Sequence, residues 1–189
     1  GEATAVLAGN SLLTLAFEMI ADKKYNLGPK IKNDIIKLLA YSSGHTGIAG
    51  GQELDLKFEK KRKNLKQILD MQKKKTGKLF GFCLSAVGIV AKRESSEKRY
   101  LKDLGEEIGL LFQLADDFLD IKGSKKLVGK PTRKDKKKGK STLVDLIGYK
   151  KAYKYAYNLK KKILLKLKKH GKNAKHLLDT IDFIKKRNF

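Results

Sequence analysis

Asp116, Asp117 and Asp120 fall in the segment Phe112-Gln113-Leu114-Ala115-Asp116-Asp117-Phe118-Leu119-Asp120, three carboxylates in an otherwise apolar stretch of a chain with net charge +24. If the segment is helical, Asp116 and Asp120 stand one turn apart on one face, and Gln113 precedes Asp116 by three residues on the same stripe. Carboxylates that close repel each other unless a hard divalent cation or a lysine stands between them. Magnesium takes oxygen ligands, commonly one or two protein carboxylates completed by phosphate oxygens and water. Asp116 and Asp120 supply that pair, with Asp117 ligating or orienting from the flank. Lys75 beside Thr76, Lys130 and Lys140 add cations that bind phosphate as point charges. A metal with three lysines suits a departing diphosphate.

Blander readings exist for each feature. An acidic triplet on a helix is commonly a solvated face, but Phe112, Leu114, Ala115, Phe118 and Leu119 leave little polar surface around this one. Part of the cluster is therefore expected to face an interior cavity. Its spacing does not fit an EF-hand, which needs alternate ligands and a central glycine. Each lysine taken singly has dozens of surface peers. Gly50-Gly51-Gln52, with Asp55 following, is a second oddity, because paired glycines cost a helix roughly 1 kcal/mol each relative to alanine. Close helix packing or a cavity wall would compensate and set Gln52 and Asp55 on one face; a plain helix break explains the glycines equally well. His45, His170 and His176 have no metal-ligand spacing and are expected to be surface or packing residues.

The elements that must position these residues read as helical throughout. Apolar residues recur at three and four positions, the 189 residues include only two prolines, and no alternating strand pattern stands out. Helices are expected at about 3–21, 31–56, 65–92 with a break near Lys75 to Gly77, 97–121, 143–170 and 174–186. The chain is long enough for one all-α domain over 1–189. The segment 122–140, with its glycines, Pro131 and a lysine run, is expected to be a mobile basic lid loop that can fold back over whatever the carboxylates hold.

Composition narrows the function classes. All but five of the 44 basic residues are lysine, the arginines being Arg62, Arg93, Arg99, Arg133 and Arg187. Arginine is the usual bidentate reader of guanine and phosphate, and the lysines are scattered over nearly all polar faces, so the charge does not mark a nucleic-acid footprint. The single Cys83 lies in the apolar run Leu79-Phe80-Gly81-Phe82-Cys83-Leu84 and is expected to be a small core residue in a reducing compartment. No run of about 18 uninterrupted apolar residues occurs, and no basic signal-peptide region opens the chain. A cytoplasmic protein without stable membrane insertion is expected.

Together the motifs resemble the trans-type isoprenyl diphosphate synthases, which include the farnesyl and geranylgeranyl diphosphate synthases. Gly1-Glu2-Ala3-Thr4-Ala5-Val6-Leu7-Ala8-Gly9-Asn10 resembles their GExxAxLAGD segment, with Asn10 where aspartate is usual. Gly50 to Leu56 resembles GGQxxDL, Lys75-Thr76-Gly77 resembles KTG, and Phe112 to Asp120 resembles FQxxDDxLD, the second aspartate-rich motif. Gly129-Lys130, Asp135 and Gly139-Lys140-Ser141-Thr142 resemble the downstream GK, D and GKST positions, with Arg133 where a small residue is common.

The resemblance implies a helical bundle around a deep cavity, usually dimeric, that condenses an allylic diphosphate with isopentenyl diphosphate. It implies that Asp116, Asp117 and Asp120 hold or orient Mg2+, and that Lys75, Lys130 and Lys140 bind the allylic diphosphate. Thr76 and Gln113 would present oxygens to the developing cation, with Gln52 and Asp55 as supporting cavity residues. The family's first aspartate-rich motif should precede Gly1, so the chain reads as the C-terminal part of a synthase. The alternatives are a non-catalytic partner subunit of a heteromeric synthase and, from a different class, a basic nucleic-acid-binding protein.

Overall fold

The computed structural model describes residues 1–59, 61, 63–128 and 142–188, with only the backbone course given for 122–128 and 185–188. Every regular element among them is helical: α1 (Glu2–Ala21), α2 (Pro29–Ser43), α3 (Ile48–Phe58), α4 (Leu65–Gln72), a π turn (Lys73–Gly77), α5 (Lys78–Val90), α6 (Ser95–Val128), α7 (Leu143–Ile147), α8 (Tyr149–Lys168) and α9 (Lys175–Asn188). Two short 3-10 turns lie at Lys23–Tyr25 and Gly171–Ala174.

The long helix α6 organises the molecule. Leu104, Ile108, Leu111, Ala115 and Phe118 recur at helical spacing along one side of it, and all are buried. They pack with Ile68 and Met71 of α4, Leu143 of α7, Ala152, Ala156, Leu159, Ile163 and Leu167 of α8, and Ile181 and Ile184 of α9. Glu107 of α6 adds a polar tie to α8, accepting Lys162 at 2.9 Å and Lys166 at 2.8 Å. Against α5, α6 instead uses glycines. A Cβ at Gly105 would lie 2.3 Å from the Phe80 carbonyl oxygen, and one at Gly109 would lie 2.8 Å from the Gly77 Cα, so the two backbones touch.

Several sequence expectations need correction. The single helix expected over 31–56 is two helices, because the chain reverses at Gly44 to Gly47, where a Cβ at Gly47 would fall 1.9 Å from the Ser42 carbonyl oxygen. Gly50 and Gly51 are not the break; they are buried in the first turn of α3. The helix expected over 143–170 is divided at Gly148, whose φ of 81° lies in the left-handed region open mainly to glycine. Helix α6 runs on through Val128, taking in the first seven residues of the expected lid; the rest of that segment, 129–140, lies outside the described residues. Cys83 is exposed rather than core, since Gly81, Ser85 and Gly88 form the buried stripe of α5.

Helix α1 stands apart. None of its residues is buried, and it is long and apolar enough to cross a membrane by length and composition alone, with mean hydropathy 1.5. Val6, Leu7, Leu12, Leu13, Leu15 and Met19 are all exposed along it.

Candidate active site

The site forms where three elements meet: α3, the π turn and the middle of α6. A π turn widens the helix by one residue and commonly marks a functional position. Here it carries Lys75 and Thr76, at the place where the sequence predicts a helix break. The turn fits against α3 because Gly51 has no side chain; a Cβ there would lie 2.2 Å from the Lys75 nitrogen. Lys75 Nζ then donates to Asp55 Oδ2, a partly buried ion pair one helical turn further along α3. Gln52, which precedes Asp55 by three residues, is exposed.

On the α6 side a hydrogen-bonded chain links four residues. Thr76 Oγ1 donates to Gln113 Oε1 at 2.7 Å, and Gln113 Nε2 donates to Asp117 Oδ1 at 3.0 Å. Gln72 Nε2, at the end of α4, donates to the other oxygen of Asp117 at 2.9 Å. The Thr76 hydroxyl and the Asp117 carboxylate thus fix the Gln113 amide, its oxygen toward the turn and its nitrogen toward the aspartate. Because Thr76 spends its only hydrogen on Gln113, the lone pairs of its oxygen are what it offers a cation.

The three aspartates sit in three environments. Asp117 is only 7% exposed. Burial pushes its pKa up to about 7 from an ordinary 3.8; the Gln113 and Gln72 amides oppose the shift, and the charges of Asp120 and Asp116 add to it. Asp116 is half-buried and Asp120 exposed, one turn apart on α6. Of the three aspartates expected to hold metal, Asp117 is therefore committed to two amide donors. Among the described residues no three His, Cys, Asp or Glu side chains converge as a metal-binding group. Asp116 and Asp120 keep the chemistry of a magnesium site, two hard oxygen donors at the same face.

The structure thus joins Thr76, Gln113 and Asp117 by hydrogen bonds and pairs the neighbouring Lys75 with Asp55, while Lys130 and Lys140 lie outside the described residues. Two participants have no counterpart in the sequence reading. Gln72 is buried and ties α4 to Asp117. Glu106 is buried and pairs with Lys73 at 2.7 Å and Lys78 at 2.7 Å, the residues that open and follow the π turn. The one signal for either was a polar residue on an apolar helical stripe, as with Gln72 beside Ile68 and Met71.

Comparison with known proteins gives the family and the fold. A family model described as polyprenyl synthetase matches residues 1–181. The farnesyl diphosphate synthase of Micrococcus luteus is 38% identical over 147 residues, covering 78% of this chain and 50% of the relative. A crystal structure of an FPP/GFPP synthase from Zymomonas mobilis superposes with a TM-score of 0.81 at 34% identity, covering 96% of this chain and 61% of that one. A geranyltransferase from Helicobacter pylori, solved in complex with magnesium and isoprenyl diphosphate, superposes with a TM-score of 0.77 at 31% identity, covering 97% and 59%. The chain spans about half the length of the curated relatives it matches. With this fold, these motifs in order and a family match over residues 1–181, the chain belongs to the polyprenyl synthetase family.

Proposed function

We propose that this chain forms the diphosphate-binding half of a prenyltransferase that condenses an allylic diphosphate with isopentenyl diphosphate, giving farnesyl or geranylgeranyl diphosphate. The observation that carries the reading is the Thr76–Gln113 hydrogen bond of 2.7 Å, which joins the turn bearing Lys75 to the helix bearing Asp116 and Asp120. One ammonium, two oriented oxygens and two hard carboxylates are thus carried on two elements that this bond joins. Lys75 binds the allylic diphosphate, and Lys130 and Lys140 complete the cationic set. Thr76 Oγ1 and Gln113 Oε1 present lone pairs to the allylic carbon as positive charge develops on it. Asp116 and Asp120 hold Mg2+, while Asp117 orients Gln113 instead of ligating. When bound, magnesium supplies positive charge to stabilise the leaving diphosphate. The complex of the Helicobacter relative supports this choice of metal and ligand class.

The test is extension of dimethylallyl or geranyl diphosphate with isopentenyl diphosphate by the full-length protein that carries this half, with and without magnesium. Product formed only with magnesium supports the reading, and no product under either condition rules it out. A homodimer in the cytoplasm is part of the same proposal, motivated by the apolar residues that α1 leaves exposed. Sedimentation velocity reads the oligomeric state, and a monomer at micromolar concentration would contradict it.

A further inference from the structure

We propose that Glu106 is a positioning residue for the diphosphate-binding turn, a buried carboxylate that clamps Lys73 and Lys78 across the π turn and so sets Lys75 and Thr76 between them. This rests on the prenyltransferase reading for its catalytic consequence, but its structural part stands on geometry alone.

The geometry is specific to a π turn. An α-helix advances about 100° per residue, so residues five apart point about 140° away from each other and do not meet one partner. In the π turn the Lys78 backbone N–H bonds to the Lys73 carbonyl, and the wider ring brings these two residues toward one line. Both side chains then reach a single carboxylate. Lys78 Nζ donates to Glu106 Oε1 at 2.7 Å, and Lys73 Nζ stands 2.7 Å from Oε2 as an ion pair. The backbone bond and the shared carboxylate therefore select the same widened turn.

Room for the clamp is built into α5. A Cβ at Gly81 would lie 2.8 Å from the Glu106 Cγ, so the glycine is what lets the side chain lie against the helix. Glu106 is 3% exposed and its two lysines are the compensation for burying it. Burial works to raise its pKa, yet Lys73 and Lys78 outweigh that and hold the carboxyl below its ordinary 4.5. On the opposite side of the turn Asp55 takes Lys75 alone. Lys73 and Lys75 of the turn and Lys78 just after it are thus divided between two acids. Losing Glu106 would leave two unpaired ammoniums beside Lys75, free to draw the turn or a bound anion out of register.

The experiment compares Glu106→Gln with Glu107→Gln in the full-length protein that carries this half. Glu107 is the adjacent acid and also pairs with two lysines, but its partners are Lys162 and Lys166 of α8. Steady-state prenyl transfer, thermal melting and hydrogen exchange of the 75–78 amides are read for each. For E106Q the expectation is a KM for the allylic diphosphate raised about tenfold, as for loss of one charge-assisted contact. Its KM for isopentenyl diphosphate should hold within about twofold. Exchange at 75–78 should quicken, and E107Q should match the wild type in both readouts. Unchanged allylic KM and exchange in E106Q overturn the proposal, and so does a parallel shift of both KM values with a collapsed melting temperature, which marks a merely structural role. A wild type without prenyl transfer overturns the prenyltransferase reading instead, and the exchange comparison then decides the clamp by itself.

Discussion

Gly51 and Lys75 meet backbone to backbone: a Cβ on the glycine would lie 2.2 Å from the lysine nitrogen and 2.5 Å from its Cα. A contact with main chain cannot be relieved by a rotamer change. Gly51→Ala must push α3 and the π turn apart, at a cost of about 1–3 kcal/mol as for other overpacked sites. Thermal melting should show this as a lower Tm. Gly9→Ala, in α1 where nothing lies within 4 Å of the added carbon, is the control and should leave Tm level or raise it. Equal melting of G51A and wild type would show that the seam is not packed this closely.

The Thr76–Gln113 bond predicts coupling between two residues far apart in sequence. Thr76→Val and Gln113→Leu should each lower kcat for prenyl transfer. The double variant should lose less than the sum, with a coupling energy of about 1 kcal/mol, because either change breaks the shared bond. Strictly additive losses would mean that the two act separately.

Asp117 predicts a pH dependence in metal-free protein. With a folded pKa of about 7 against an ordinary 3.8, the folded state holds a proton that the unfolded chain has already released in between. Its contribution is fully present below about pH 4 and is lost as pH rises through about 7, so stability should fall over that window. Asp117→Asn removes the titration. Urea melts across the window should give a flatter profile for the variant, and an identical slope would place the ionisation elsewhere.

How far the sequence carried the account follows from which forces are local. The burial of α6 was legible because Leu104, Ile108, Leu111, Ala115 and Phe118 repeat at helical spacing, and the aspartates are placed by that same repeat. The Gly50-Gly51 pair was ambiguous because its meaning lies across a contact: Gly51 answers to Lys75, as Gly81 does to Glu106 and Gly109 to Gly77, none of them a sequence neighbour. The reach of α6 past Ile121 was missed because residues 122–128 offer few apolar positions to carry a period. Helix pattern likewise could not separate Asp117 from Asp116. Only the meeting of α4 with α6 shows that Gln72 and Gln113 occupy both its oxygens.

Asp116, one turn along α6 from the Gln113 that bonds Thr76, is proposed to help hold the metal that activates an allylic diphosphate. The decisive measurement is magnesium-dependent prenyl transfer by wild type and Asp116→Ala in the full-length protein that carries this half. A loss of about a hundredfold or more in kcat/KM is expected for the variant, the scale of losing a few kcal/mol of charge stabilisation in the transition state. Transfer by Asp116→Ala at the wild-type rate, with the same magnesium dependence, would contradict it.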